Sequence, residues 1–138
     1  MAEQSTTPDL AELTRQAFDT MIRRDFGALE GFYAPDAIYR GAQIGTFEGI
    51  AAIRSVLEDL MSPYEEFHGE IEEIVDLDNG VIFGVFTANG RPHSSRGLIQ
   101  VRVASVFIWT DGVIEQQTFY TDIDQARAAA ERLAEERG

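Results

Sequence analysis

The sequence contains neither cysteine nor lysine. The missing cysteine excludes disulfides, thiolate nucleophiles and cysteine-ligated metals, and it fits a cytoplasmic protein. The missing lysine excludes Schiff-base chemistry, a lysine base and a phosphate loop of the Gly-x-x-x-x-Gly-Lys type. All 11 basic residues are therefore arginines.

Positive charge is scarce as well. The 11 arginines are outnumbered by 24 acidic residues, which gives the chain a net charge of −13. Binding to a phosphate backbone needs clustered positive charge, so we expect no nucleic-acid partner. No apolar run approaches the roughly 18 residues that a membrane span needs. The first seven residues also lack the basic and apolar segments of a signal peptide. The sequence thus predicts a cytoplasmic localisation and no membrane partner.

Most signatures of metal and cofactor chemistry are missing too. The two histidines, His68 and His93, do not stand with carboxylates at metal-ligand spacing. Gly41, Gly45 and Gly49 have the wrong spacing for a dinucleotide-binding turn, and no Gly-x-Ser-x-Gly elbow exists. We therefore expect no metal ion and no cofactor.

The sequence does contain enough apolar material for one core, since 44% of its 138 residues are apolar. Residues 1–8 are expected to be a flexible tail and residues 9–138 a single domain. Apolar residues at helical spacing predict a first helix after an N-cap at Thr7, and Asp25 is expected to open a second helix that includes Tyr33. A short strand at about 37–40, a glycine-rich loop and a third helix from about Glu48 to Met61 follow.

From about residue 67 the apolar period changes to two, which predicts strands at about 67–77, 81–88, 98–109 and 113–121. Asp78-Asn79-Gly80 and Asp111-Gly112 are typical hairpin turns. Asp122 and Gln125 have capping-box spacing before an alanine-rich helix. This order predicts an α+β domain in which the helices pack on one face of a strongly curved antiparallel sheet, with a helix at the C-terminus.

Two residues are candidates for catalysis. Asp122 ends the last strand, where apolar walls would raise its pKa toward that of a useful base; alternatively, it only caps the final helix. Tyr39 would orient a ligand or water; alternatively, it is a core residue with its hydroxyl at the surface.

A larger group of residues is predicted to bind substrate. Polar side chains that interrupt apolar strands indicate a cavity wall, aromatic side chains fill either a core or a ligand pocket, and a loop histidine would lie at the rim. The predicted substrate-binding residues are Phe18, Phe86, His93, Ser105, Phe107, Gln117, Phe119 and Thr121.

Several segments resemble the nuclear transport factor 2-like superfamily, and within it the SnoaL-like polyketide cyclases and their ketosteroid isomerase and epoxide hydrolase relatives. The segments that carry the resemblance are 25–29, 32–39, 46–50, 109–114 and 119–122 (DFGAL, FYAPDAIY, TFEGI, WTDGVI and FYTD). The resemblance extends from about Leu10 to Leu133. It implies a cone-shaped domain that encloses a pocket, and pairing into homodimers across the sheet.

Only some of the catalytic residues of these relatives are present at the matching positions of this sequence. The base aspartate, the oxyanion-binding aspartate and the first-helix tyrosine of the ketosteroid isomerases correspond to Gly41, Ser105 and Ala17 in this sequence. None of these three residues is the one that the isomerases use. Tyr39 and Asp122 match the tyrosine and the final aspartate of the epoxide hydrolases, but Gly41 replaces their asparagine. In the SnoaL-like cyclases a late aspartate acts as acid and base, and Asp122 is the candidate for that role.

Two functions remain open. The first is a cofactor-free acid/base enzyme of the cyclase, isomerase or hydrolase type that acts on a hydrophobic small molecule bearing oxygen. The second is a non-catalytic ligand-binding or dimerisation domain of the same fold.

Overall fold

The computed structural model describes residues 9–94 and 96–138; the predicted tail, residues 1–8, lies outside them. Helix α1 (Leu10–Ile22) starts two residues later than Thr7-Pro8 predicts, because its N-cap is Asp9, whose carboxylate accepts a hydrogen bond from the Glu12 amide at 3.1 Å. Asp25 caps α2 (Phe26–Glu30) in the same way.

The segment after α2 differs most from expectation. Tyr33 opens strand β1 (Tyr33–Gly41) instead of continuing the helix, since Pro35 disfavours helical backbone at the residue before it. The glycine-rich stretch, predicted as a loop, contains strand β2 (Gly45–Glu48), which pairs antiparallel with β1. Helix α3 (Ile50–Met61) follows Gly49, whose φ of 94° suits glycine.

The four later strands are confirmed as a meander: β3 (Tyr64–Asp76), β4 (Val81–Pro92), β5 (Ile99–Thr110) and β6 (Val113–Tyr120). Both predicted turns are present; Asp111 and Gly112 have positive φ, as a type I′ hairpin requires. All six strands form one curved, unclosed sheet in the order β2-β1-β6-β5-β4-β3. One pairing corrects the antiparallel expectation, because β1 runs parallel to β6.

The α+β class is confirmed, but the helices lie on both faces of the sheet. Side chains alternate along β4: Ile82 and Phe86 pack with α1, α2 and α3, whereas Val81 and Phe83 pack with α4 (Ile123–Arg137). Helix α4 contacts the sheet through Ala126, Ala130 and Ala134, which are small enough for close approach. The expectation that all helices cover one face is therefore wrong.

None of the helices in residues 9–94 and 96–138 has the length and apolar character needed to cross a membrane.

Candidate functional site

A cavity of about 230 Å³ lies between one face of the sheet and helices α1, α2 and α3. Most of its wall is apolar, and its polar side chains come from β1, β3, β5 and β6. The lining residues are Ala17, Phe18, Met21, Leu29, Tyr33, Tyr39, Leu57, Leu60, Met61, Tyr64, Phe67, Phe86, Ala88, Val101, Val103, Ser105, Phe107, Gln117 and Phe119.

The structure brings seven of the ten predicted site residues together in this wall: Phe18, Tyr39, Phe86, Ser105, Phe107, Gln117 and Phe119. The rings of Phe18 and Phe86 stack with centroids 4.6 Å apart, and Phe107 meets Phe86 edge-on at 6.4 Å. These contacts give the wall a fixed aromatic side.

The other three predicted residues are exposed and do not line the cavity. His93 lies beyond the end of β4, because that strand runs four residues further than predicted. Thr121 follows the last residue of β6. Neither side chain is placed at the cavity rim.

Asp122 is the N-cap of α4, and its carboxylate accepts a hydrogen bond from the Gln125 amide at 2.9 Å. Capping aims this carboxylate at the helix start, outside the cavity. The geometric basis for Asp122 as a catalytic base is therefore lost, and the alternative that it caps the helix describes its contacts.

Three polar side chains form a short hydrogen-bonded chain within the wall. The Tyr33 hydroxyl donates to Gln117 Oε1 at 2.6 Å, and Gln117 Nε2 donates to Ser105 Oγ at 3.4 Å. The parallel pairing of β1 and β6 sets Tyr39 directly beside Gln117. Most polar groups of the described cavity wall thus lie on the neighbouring strands β1, β6 and β5, whereas Tyr64 lies on β3.

The Tyr39 hydroxyl has no hydrogen-bond partner among the described residues. In the same part of the chain every fully enclosed side-chain nitrogen or oxygen has a partner. Since only 4% of Tyr39 is exposed and the residue lines the cavity, its hydroxyl must open onto the cavity. It is a hydrogen-bonding group held ready for a ligand or water.

Both buried tyrosines stay protonated at physiological pH. Burial raises the pKa of Tyr39 well above its ordinary value of 10.0. Burial also raises the pKa of Tyr33, and the neighbouring Tyr39 raises it further. The two phenols are therefore neutral hydrogen-bond donors.

No carboxylate, imidazole or guanidinium lines the cavity within residues 9–94 and 96–138. The same residues contain no group of His, Asp and Glu side chains arranged to hold a metal ion. The described wall can donate and accept hydrogen bonds, but it has no group with the pKa of a general base at neutral pH.

Sequence reasoning missed Tyr33, which it placed in the second helix. The signal was present, because Tyr33 and Tyr39 are an even number of residues apart with Pro35 between them. Extending the strand back across the proline would have put both side chains on one face.

The profile of the SnoaL-like domain family matches residues 14–117 of this chain. Among solved structures, an NTF2-like protein of unknown function from Burkholderia pseudomallei K96243 is 14% identical, with a TM-score of 0.72 over 90% of this chain and 98% of that one. A putative SnoaL-like polyketide cyclase from Shewanella putrefaciens CN-32 is also 14% identical, with a TM-score of 0.69 over 92% and 98%.

An LEH-like epoxide hydrolase from M. tuberculosis is 20% identical, with a TM-score of 0.67 over 88% of this chain and 90% of that one. At these identities the likeness shows a shared fold. No curated protein sequence matches the chain.

Proposed function

The chain belongs to the SnoaL-like domain family, within the nuclear transport factor 2-like superfamily, and from that premise we propose that it binds a small, neutral, mostly apolar organic molecule without transforming it. The observation that carries the proposal is the composition of the described cavity wall: aromatic and aliphatic side chains, phenols, one hydroxyl and one amide, with no ionisable acid, imidazole or cation.

The size of the cavity limits the ligand. A dry cavity of roughly 150 Å³ accepts benzene, and drug-sized ligands occupy roughly 300–1,000 Å³. At about 230 Å³ the present cavity suits a molecule with one or two rings. Leu60 and Val101 line the cavity and are 42% and 44% exposed, so the ligand can enter beside them.

The polarity of the wall limits the ligand further. Because Tyr39 holds an unpaired hydroxyl, the preferred ligand carries an oxygen acceptor such as a carbonyl. A carboxylate would bind poorly, since it would lose its hydration without gaining a cation in the described wall. A pure hydrocarbon would leave the Tyr39 hydroxyl without a partner.

The enzyme alternative needs a base within hydrogen-bond reach of the substrate, about 2.6–3.2 Å. Asp122 is committed to helix capping outside the cavity, and Tyr39 is held neutral by burial. The folds shared with a putative cyclase and an epoxide hydrolase do not supply that base, because function resides in the site and not in the fold.

The test compares three ligands of similar shape: a neutral bicyclic ketone, the corresponding neutral hydrocarbon and the corresponding carboxylate, which should bind most weakly. Affinities come from native mass spectrometry and thermal shift with wild type, Tyr39→Phe and the control Tyr120→Phe, which removes a hydroxyl on the α4 side of the sheet. We expect wild type and Tyr120→Phe to prefer the ketone over the hydrocarbon by about fivefold, the worth of one hydrogen bond, and Tyr39→Phe to lose this preference.

Two results would contradict the proposal. One is unchanged ketone preference in Tyr39→Phe, which would remove the assigned donor. The other is a converted product detected by chromatography after incubation with wild type, which would show that the protein is an enzyme.

A further inference from the structure

The cavity wall contains a second tyrosine hydroxyl that is not used within the protein, that of Tyr64. This residue opens β3, lines the cavity and is half-buried. Its backbone oxygen accepts a hydrogen bond from the Arg24 guanidinium at 2.7 Å, but its hydroxyl has no partner among the described residues. A phenol can donate one hydrogen bond and accept others. Tyr64 therefore offers a ligand a hydrogen-bonding group in addition to Tyr39.

The ring of Tyr64 is held in place by its neighbours. It lies on Gly90 of β4, where a Cβ atom would be only 2.5 Å from the nearest ring carbon. It also packs at a tilt against Phe67, with the ring centroids 5.4 Å apart. The missing side chain at position 90 thus provides the space in which the ring lies. Together with the bond from Arg24, these contacts fix Tyr64 in the cavity wall.

The strand register places Tyr39 and Tyr64 at opposite ends of the cavity. Tyr39 is in the same row of the sheet as Phe107 of β5, and this is the inner end. The ring of Tyr64 lies over Gly90, beyond the row of Val101 on β5, and this is the outer end. From Val101 to Phe107 the wall covers roughly 20 Å of strand, part of which is occupied by the side chains at the two ends. The cavity is therefore elongated along β5.

Between the two phenols the described wall is apolar. Phe18 from α1 stacks on Phe86 of β4, with the ring centroids 4.6 Å apart, and Val103 of β5 stands opposite Phe86 in the sheet. All three residues line the cavity. The remaining polar side chains of the described wall belong to the hydrogen-bonded chain at the inner end. The cavity thus has a hydrogen-bonding group at each end and an aromatic section between them.

We propose that Tyr64 is a second ligand-binding residue and that the ligand is an elongated molecule with two rings in line and one oxygen at each end. This inference rests on the proposed function, because it assumes a neutral ligand whose first oxygen is bound by Tyr39. The second oxygen forms a hydrogen bond with the Tyr64 hydroxyl, and the rings occupy the apolar section. No cation lines the outer end within the described residues, so the second oxygen is uncharged as well.

The first experiment measures the value of the second oxygen. Dissociation constants of 4-(4-hydroxyphenyl)cyclohexanone, 4-phenylcyclohexanone and the hydrocarbon phenylcyclohexane are determined by calorimetry and native mass spectrometry. Wild type and the control Tyr120→Phe should bind the hydroxylated ketone about fivefold more tightly than 4-phenylcyclohexanone, which corresponds to one hydrogen bond. Tyr64→Phe should lose this preference and still prefer 4-phenylcyclohexanone to the hydrocarbon. Tyr39→Phe should show the converse.

The outcomes separate this inference from the proposed function. Equal affinity of wild type for the two ketones would overturn the role of Tyr64, and so would an unchanged preference for the hydroxylated ketone in Tyr64→Phe. In both cases the preference for a ketone over the hydrocarbon still reports on Tyr39. If wild type lacks that preference too, the proposed function fails and this inference fails with it.

The second experiment tests the shape of the ligand with two isomers. 4-Phenylcyclohexanone has its rings in line with the carbonyl group, whereas 2-phenylcyclohexanone has the same atoms in a bent arrangement. Wild type should bind the 4-isomer at least about fivefold more tightly, because the bent isomer does not fit an elongated cavity. Tyr64→Phe should keep this preference, since the substitution removes a hydroxyl and leaves the ring on Gly90. Equal binding of the two isomers by wild type would refute the elongated ligand.

Discussion

Removing the hydroxyl of Tyr33 and removing that of Tyr39 should have different effects on stability, although both residues are buried and lie in the same strand. Tyr33→Phe deletes the donor to Gln117 Oε1, a hydrogen bond of 2.6 Å. Tyr39→Phe deletes a hydroxyl with no partner among the described residues. The two substitutions are chemically identical, so the difference reports the hydrogen bond alone.

The expected magnitudes follow from these contacts. A hydrogen bond contributes about 1 kcal/mol net, and its loss also leaves Gln117 Oε1 without its partner, so Tyr33→Phe should lower the free energy of unfolding by about 1–2 kcal/mol. For a chain of this size that is a drop in Tm of roughly 3–8 °C. Tyr39→Phe should change the free energy by less than about 0.5 kcal/mol, since only a cavity-facing group is removed.

Urea unfolding followed by circular dichroism measures both values, with thermal unfolding as a second readout. A cycle with Gln117→Leu isolates the pair: in that background Tyr33→Phe should lose most of its cost, whereas Tyr39→Phe should not change. A loss of stability in Tyr39→Phe as large as that in Tyr33→Phe would contradict the prediction, because Tyr39 would then have a structural partner.

Three further predictions concern other groups. Thr14→Val should lower the free energy of unfolding by about 1–3 kcal/mol in urea titrations, because the buried Trp109 indole N–H, which donates to Thr14 Oγ1 at 3.1 Å, would lose its acceptor. Hydrogen bonding to Arg127 lowers the pKa of Glu73 below its ordinary 4.5. Ionised Glu73 therefore stabilises the fold above pH 4.5, and this contribution is lost as the pH falls through the lowered pKa. The difference in free energy of unfolding between wild type and Glu73→Gln should shrink in acid, and a constant difference would contradict the ion pair. Burial raises the pKa of Tyr39 above 10.0, so the contribution of this tyrosine to the free energy of unfolding is complete below pH 10 and declines above it. In alkaline titrations followed by phenolate absorbance, Tyr39→Phe should reduce the fraction of tyrosines that ionise only when the protein unfolds.

Local signals in the sequence predicted most of the regular structure. Asp25 caps a helix where its spacing indicates one, and Asp111-Gly112 adopts the positive φ values that its hairpin turn requires. Val81 to Phe86 are apolar without interruption, and both faces of this strand are buried. For the cap and the turn the deciding interactions are within a few residues of the signal, whereas for β4 the signal is the local composition and the burial comes from distant elements.

The errors concern interactions between distant residues. The side of the sheet that α4 covers depends on packing against Val81 and Phe83, about 40 residues or more away in sequence. The parallel pairing of β1 with β6 joins segments separated by α3 and the other strands of the sheet. For Asp122 the sequence allowed two roles, and only the position of α4 relative to the cavity separates them.

The parallel pairing of β1 with β6 also supports the proposed preference for a neutral ligand. Between Tyr33 and Ile38 β1 advances five residues while β6 advances from Ile114 to Gln116. Beyond this irregularity Tyr39 stands opposite Gln117 in the strand register, while the Tyr33 hydroxyl reaches the Gln117 amide oxygen. The Tyr33 hydroxyl donates to the amide oxygen, the amide nitrogen donates to Ser105 Oγ, and the Tyr39 hydroxyl has no hydrogen-bond partner among the described residues. Tyr39 is therefore the phenol that the proposed ligand would meet, and because burial raises its pKa, it would present a neutral donor that an uncharged oxygen acceptor can satisfy.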